Sequence, residues 1–204
     1  MHTKKTVLQY LKNILILITT VFVSITANAA STIKSVQYNT SANAVILQYD
    51  QIPDMLKHPD ITPILTIYGD GRVVTHIALY KKNSGDYAFA LSPTELDSLI
   101  KFILEKNLHK FNIHSVRNQM KTIQHARQSF YSESDLTQSV FTLNVISFTD
   151  QSNKKITLQK AIKIKAENIQ SFARKYPSIS ALQNLTAVEQ RLQQLMNDPR
   201  RVKQ

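Results

Sequence analysis

The stretch Pro63-Ile64-Leu65-Thr66-Ile67-Tyr68-Gly69-Asp70-Gly71-Arg72-Val73-Val74-Thr75-His76, followed by Leu91-Ser92-Pro93-Thr94-Glu95-Leu96, decides the fold class of this chain. Two runs rich in β-branched and aromatic residues, Ile64–Tyr68 and Arg72–Tyr80, flank Gly69-Asp70-Gly71 and predict a hairpin. Asp-Gly suits a two-residue type I′ turn, because both central residues there need positive φ. With Asp70 and Gly71 as that turn, Tyr68 faces Val73, Ile67 faces Val74 and Leu65 faces His76. Both faces then carry apolar residues, which predicts a central strand pair covered on each side. Next, Ser92 falls at an N-cap, Pro93 at N1 and Glu95 at N3, a capping box with the preferred first residue. Leu96, Leu99, Ile100, Ile103 and Leu104 recur at helical spacing, so Pro93–Lys106 is expected as a helix whose stripe buries against a sheet.

Working outward, Ile33–Asn39 and Ala44–Asp50 read as short strands with Thr40-Ser41-Ala42-Asn43 turning between them, and Gln51–Thr62 as a connecting loop. A brief strand is expected near Tyr87–Leu91. From Lys110 to Ser134 the chain turns polar, and Val116, Met120 and Ile123 fit either a short helix or an ordered loop. Strand character returns in Val140–Phe148 and Lys155–Ile164, joined at Asp150-Gln151-Ser152-Asn153. Lys160 interrupts the apolar face of the second run, a mark of an edge or a bulge. Ile169, Phe172, Ala173 and Tyr176 predict a helix ended by Pro177. A last helix is expected from Thr186, with Glu189 completing a second capping box, and Arg200-Arg201-Val202-Lys203 as a frayed basic tail. Hairpins alternating with helices indicate an α+β domain, with mainly antiparallel strands and helices on at least one sheet face.

The N-terminus carries an address. Lys4, Lys5 and Lys12 form a basic region, Ile14 to Ile25 is mostly apolar, and Ala27-Asn28-Ala29 places small residues for cleavage. This order predicts a signal peptide over residues 1–29, cut after Ala29, and a periplasmic or secreted product. An uncleaved anchor is the competing explanation of the apolar run, and the Ala-Asn-Ala site argues against it. No comparable run follows, so no membrane span is expected in the mature chain. The expected organisation is a single α+β domain over 30–197 and a basic tail over 198–204. Removing residues 1–29 takes away three lysines and no acids, leaving 22 basic against 14 acidic residues, a formal charge of +8. There is no cysteine, which excludes disulfides, thiolate chemistry and a lipid anchored on a Cys.

The hairpin and cap resemble a loose group of uncharacterised bacterial exported proteins and lipoproteins. These share a P-x-L-x-I-Y-x-D-G-x-V hairpin and an L-S-x-x-E-L helix start. The group continues with an Asp- and Thr-rich approach to a second hairpin and a closing helix, for which Asp135-Leu136-Thr137 and Phe172–Leu195 are the counterparts here. The resemblance implies a fold and an exported setting. It carries over no catalytic residue, and the missing Cys sets this chain apart from the lipoprotein members.

Chemical motifs are scarce. No Gly-x-Ser-x-Gly elbow occurs, and three glycines build no phosphate-cradling loop. His109 and His114 lie five apart, which puts them about 140° apart on a helix, with no acid between them. His58, His76 and His125 complete no metal-binding pattern, so neither a metal nor a cofactor is expected. The basic residues offer one candidate binding set, Lys155, Lys163 and Lys165, in which the last two share a strand face and suit an anionic partner. Without interleaved aromatics, and with export expected, nucleic acid is not that partner. A solvated lysine face that blunts an edge strand explains the same residues. The function expected is a non-catalytic module that binds a protein or another envelope component. The alternatives are a small hydrolase of envelope polymers with its site in 110–135, and anionic-polymer binding through the lysine-rich strand.

Overall fold

A computed structural model describes residues 33–53, 60–128 and 136–204. The signal peptide over 1–29, His58 and the Asp135 counterpart lie outside them. Ten strands build two antiparallel sheets in an α+β fold. The strands are β1 (Ile33–Gln37), β2 (Val45–Pro53), β3 (Leu65–Tyr68), β4 (Arg72–Ile77), β5 (Gly85–Ala90), β6 (Thr137–Leu143), β7 (Ser147–Asp150), β8 (Lys155–Thr157), β9 (Ile162–Glu167) and β10 (Val202–Lys203). The helices are α1 (Pro93–Glu105), α2 (Ile113–Ala126), α3 (Ile169–Lys175) and α4 (Ser180–Met196). The large sheet runs β10-β5-β4-β3-β2-β6-β9 and the small one β1-β7-β8.

The β3–β4 hairpin forms, but in a different register. Ile67 faces Val73, Thr66 faces Val74 and Leu65 faces Thr75. The loop is the three-residue Gly69-Asp70-Gly71: the Gly71 amide donates to the Tyr68 carbonyl at 3.0 Å, and Gly71 takes φ +91°. Neighbouring backbone enforces the longer loop. The Gly69 amide donates to the Ala44 carbonyl, and a Cβ on Gly69 would sit 2.0 Å from the Asn39 carbonyl oxygen. A Cβ on Gly71 would sit 2.3 Å from that of Leu91. The one-residue change sends Leu65, Ile67, Val73 and Thr75 to one face and Thr66, Val74 and His76 to the other. The larger apolar side chains of the pair thus gather on the first face, and among the described residues no helix shares a core cluster with the second.

Helix α1 starts as its sequence dictates. The Ser92 hydroxyl accepts from the Glu95 amide, the Glu95 carboxylate accepts from the Ser92 amide, and all five stripe residues are buried. They pack with Leu185, Val188, Leu192 and Leu195 of α4 against Leu47, Tyr49, Leu65, Ile67, Val73, Phe89, Phe141 and Ile164 of the sheet. At the start of β2 a register irregularity between Val45 and Leu47 leaves both Ile46 and Leu47 buried. A second cluster joins Val116 of α2 to Ala173 of α3, Tyr176 beyond it, and Ile179 and Leu182 at the start of α4. The faded 110–134 segment thus contains a helix, N-capped by the Asn112 side chain, with Val116 buried and Met120 and Ile123 packed beside it.

Four further expectations change. The strands near 33–50 do not pair with each other: β1 joins β7 in the small sheet, and β2 lies between β3 and β6. The hairpin through Asp150–Asn153 forms but bends, with β6 pairing β9 in the large sheet and β7 pairing β8 in the small one. Asn144–Ile146 and Leu158–Ala161, which include Lys160, are the corner where both strands change sheets. Finally, α4 begins at Ser180, a turn and a half before Thr186. Thr186-x-x-Glu189 therefore lies inside a helix and caps nothing. The tail is not frayed either: Val202 pairs with Ala88 and Lys203 with Tyr87, so β10 extends the large sheet. Arg200 bonds Asp198 and Glu95, and the Arg201 guanidinium lies 5.3 Å from the Tyr87 ring centre.

Candidate functional site

Helices α1 and α4, with Ile169 of α3, pack on one face of the large sheet, and α2 packs on α3 and the start of α4. No described helix shares a core cluster with the other face. Strand alternation sends Gln48, Thr66, Val74, Ala88 and Thr142 to that second face. With Val202 and Lys163, these residues form a continuous row across all seven strands. A parallel row carries Asp50, Val140 and Lys165. Lys163 and Lys165 are both exposed, and β9 is the sheet's last strand. Ile164, between them, is buried on the helix side, which holds both lysines on the helix-free face. Among the described residues neither takes part in an ion pair. Lys155, also exposed, stands on β8 at the edge of the small sheet. Two of the three candidate lysines are therefore brought together, and the third belongs to another surface.

The same face ends in two further features. At one, the Arg72 guanidinium stacks 3.7 Å from the centre of the Tyr68 ring and donates to the Ala42 carbonyl. At the other, His76 is held between two carboxylates, with Nε2 2.6 Å from Asp60 Oδ2 and Nδ1 2.5 Å from Asp86 Oδ1. Partial burial opposes the imidazolium, yet the hydrogen bonds to Asp86 and Asp60 outweigh it and raise the His76 pKa above its ordinary value. The Thr62 amide, and then His76, hold Asp60 down at about 2. The cluster therefore favours a protonated histidine bound by two anions, and neither ring nitrogen is left to act as a base.

Beneath the helices lies a polar group that the sequence did not announce. Glu189 of α4 is 2 % exposed. Its Oε1 accepts from the Tyr49 hydroxyl at 2.8 Å and the Ser139 hydroxyl at 2.6 Å, and its Oε2 accepts from Gln170 Nε2 at 3.0 Å. Burial, then the carboxylate beside it, push the Tyr49 phenol far above its ordinary pKa, so Tyr49 stays a donor. Gln51, Thr137, Ser139, Asn168 and Ser171 complete a pocket of about 250 Å³ over this group. The available signal was a Glu standing inside an apolar stripe, next to Val188 and between Leu185 and Leu192. Nothing local in the sequence marked the His76 cluster, because its two acids come from separate segments.

Among the described residues, His109 and His114 are not brought together as a reactive pair. The His109 ring meets Phe148 edge-on at 5.0 Å, its Nδ1 is buried without a partner, and burial lowers its pKa. His114 stands in the first turn of α2, where its amide is capped by Asn112. Among the described residues no three His, Asp or Glu side chains gather where a metal ion could be held. No described helix is long and apolar enough to cross a membrane. No protein-family model, curated protein or solved structure matches this chain.

Proposed function

We propose that this chain is exported, cleaved after Ala29, and serves in the periplasm or outside the cell as a non-catalytic module that binds an anionic envelope component. The observation that carries this reading is the helix-free face of the large sheet, ending in Lys163 and Lys165 on an edge strand. An antiparallel sheet covered on one side keeps its core on that side and leaves the other free for a partner. Two cations on adjacent outward positions of one strand, without a carboxylate partner among the described residues, give that face its sign. Export is supported by the basic, apolar and small-residue order of the first 29 residues.

The test is a pull-down from envelope extract at low and moderate salt, comparing wild type with Lys163→Glu/Lys165→Glu. A discrete partner that survives moderate salt and is lost with the double variant supports the reading. Retrieval of nothing, or of the same partner by both proteins, overturns it. N-terminal mass determination of the protein recovered from producing cells tests export separately: the expected first residue is Ala30.

A further inference from the structure

We propose that the segment before β3 and the loop between β4 and β5 form a membrane-docking tip that inserts Ile61, Leu79 and Tyr80 into an anionic lipid surface while Lys81 and Lys82 meet its headgroups. Ile61 is 91 % exposed, Leu79 84 % and Tyr80 62 %, among the largest departures from burial shown by apolar residues of the described chain. Single exposed apolar residues are ordinary, but three that share one end of a sheet next to two lysines form a pattern. The His76 amide donates to the Ile64 carbonyl, and the His76 ring holds Asp60. These two contacts bring the loop that carries Ile61 to the end of β4, three residues before Leu79.

Both loops are braced so that these side chains stay outside. Asp60 Oδ1 accepts from the Thr62 amide at 2.9 Å, folding a tight turn around Ile61. In the second loop Ala78 is buried, the Lys81 amide donates to its carbonyl, and Asn83 takes φ +60°. The Tyr87 hydroxyl then holds the Asn83 carbonyl at 2.9 Å. Between these anchors Leu79 and Tyr80 project outward, followed at once by two exposed lysines. An aliphatic pair, a tyrosine and neighbouring lysines match the layering of a bilayer boundary: acyl chain, interface and phosphate. Among the described residues, Asp60 and Asp86 at this end both bind His76, and two carboxylates sharing one imidazolium leave one net negative charge against the two lysines. The fit is to a lipid surface, because two strongly exposed aliphatic side chains stand on loops beside an exposed tyrosine and two exposed lysines.

This inference rests on the envelope setting proposed above but uses a different surface, and the experiment separates the two. Since the chain has no cysteine, Leu79→Cys and Lys163→Cys each accept one environment-sensitive fluorophore. With vesicles of phosphatidylcholine and phosphatidylglycerol, the dye at position 79 is expected to shift to the blue and that at position 163 to stay in water. Vesicles of phosphatidylcholine alone are expected to give a weaker shift at position 79. In the unlabelled protein, Lys81→Glu/Lys82→Glu is expected to weaken binding to the anionic vesicles by about tenfold or more, at about 1 kcal/mol for each lysine near the surface. No shift at position 79, or equal shifts at both positions, would overturn the proposal. Equal shifts also show lipid on the β9 face, which leaves the face-binding reading standing while removing the tip. Comparing two labelled positions in the same form of the chain cancels any contribution from the apolar run at 14–25.

Discussion

The two faces of the large sheet share every backbone hydrogen bond and differ in what their side chains meet. On one face Tyr49 and Phe141 lie with ring centres 5.0 Å apart, among Leu47, Leu65, Ile67 and Ile164, under α1 and α4. On the other, their chain neighbours Gln48, Asp50, Val140 and Thr142 are only half-buried and meet no described helix. Stability is thus concentrated on one side of a ladder that both sides share, and the second side can change without unfolding the protein. The sharpest break of that comparison is a pair of adjacent substitutions on β6. Phe141→Ala is expected to cost about 3–5 kcal/mol, through lost burial and the cavity beside Tyr49. Thr142→Ala is expected to stay within about 0.5 kcal/mol. Urea unfolding of both variants measures the difference, and similar losses would mean that the second face is packed after all.

Glu189 sharpens the comparison from inside the covered face, where it is the one buried carboxylate among the described residues. Its hydrogen bonds tie α4 to β2 through Tyr49 and to β6 through Ser139. Glu189→Ala leaves both hydroxyls buried without an acceptor and is expected to cost about 3 kcal/mol, whereas Tyr49→Phe removes one donor and costs about 1 kcal/mol. If the double variant loses less than the sum of the singles, the two groups act as one unit, as a shared hydrogen bond requires. Thermal or urea unfolding of the three variants gives that coupling directly.

How much of this was legible depends on how local the cause is. The α1 cap was legible because Ser92, Pro93 and Glu95 act within one turn. The β3–β4 hairpin was legible but its register was not, since the loop length is set by Ala44, Asn39 and Leu91, which reach it from other segments. Thr186-x-x-Glu189 looked like a cap because a capping box and a helix interior share that spacing; Leu185 and Leu182, one and two turns before Glu189, already continue the stripe. Lys163 and Lys165 were placed on one face by alternation alone. Lys155 was separated from them by a bend at Leu158–Ala161, where both strands of the hairpin change sheets together. β10 is two residues long, and its pairing with β5 left no pattern to find.

The His76 cluster gives the helix-free side a pH dependence that runs from acid to neutral pH. A histidine whose folded pKa is raised contributes stability that is fully present below its ordinary value of 6.5 and is lost as pH rises through the raised value. Asp60, lowered from 3.8 to about 2, contributes stability present above 3.8 and lost as pH falls through about 2. The clamp is therefore strongest between these limits. His76→Ala is expected to lower the melting temperature most from about pH 4 to 6.5, by a margin that shrinks towards alkaline pH. A difference that stayed constant to about pH 9 would show packing rather than ion pairing at this position.

The smallest expected effect on stability falls on β9, and there it separates two roles proposed for one pair of lysines. As edge guards, Lys163 and Lys165 keep the unpaired backbone of β9 from joining another chain; as a binding patch, they attract an anion. Replacing both by Thr removes guard and charge together, while replacing both by Glu inverts the charge and keeps the guard. Both variants are expected to unfold within about 0.5 kcal/mol of wild type, because exposed side chains on a helix-free face contribute little. Size-exclusion chromatography is then expected to show self-association for the Thr variant alone, and the envelope pull-down to fail for both. If the Glu variant also self-associates, the edge is guarded by something other than charge. If the Thr variant stays monomeric and still binds, the lysines serve neither role, and the partner's place on the sheet moves inward to the row through Thr66 and Val74.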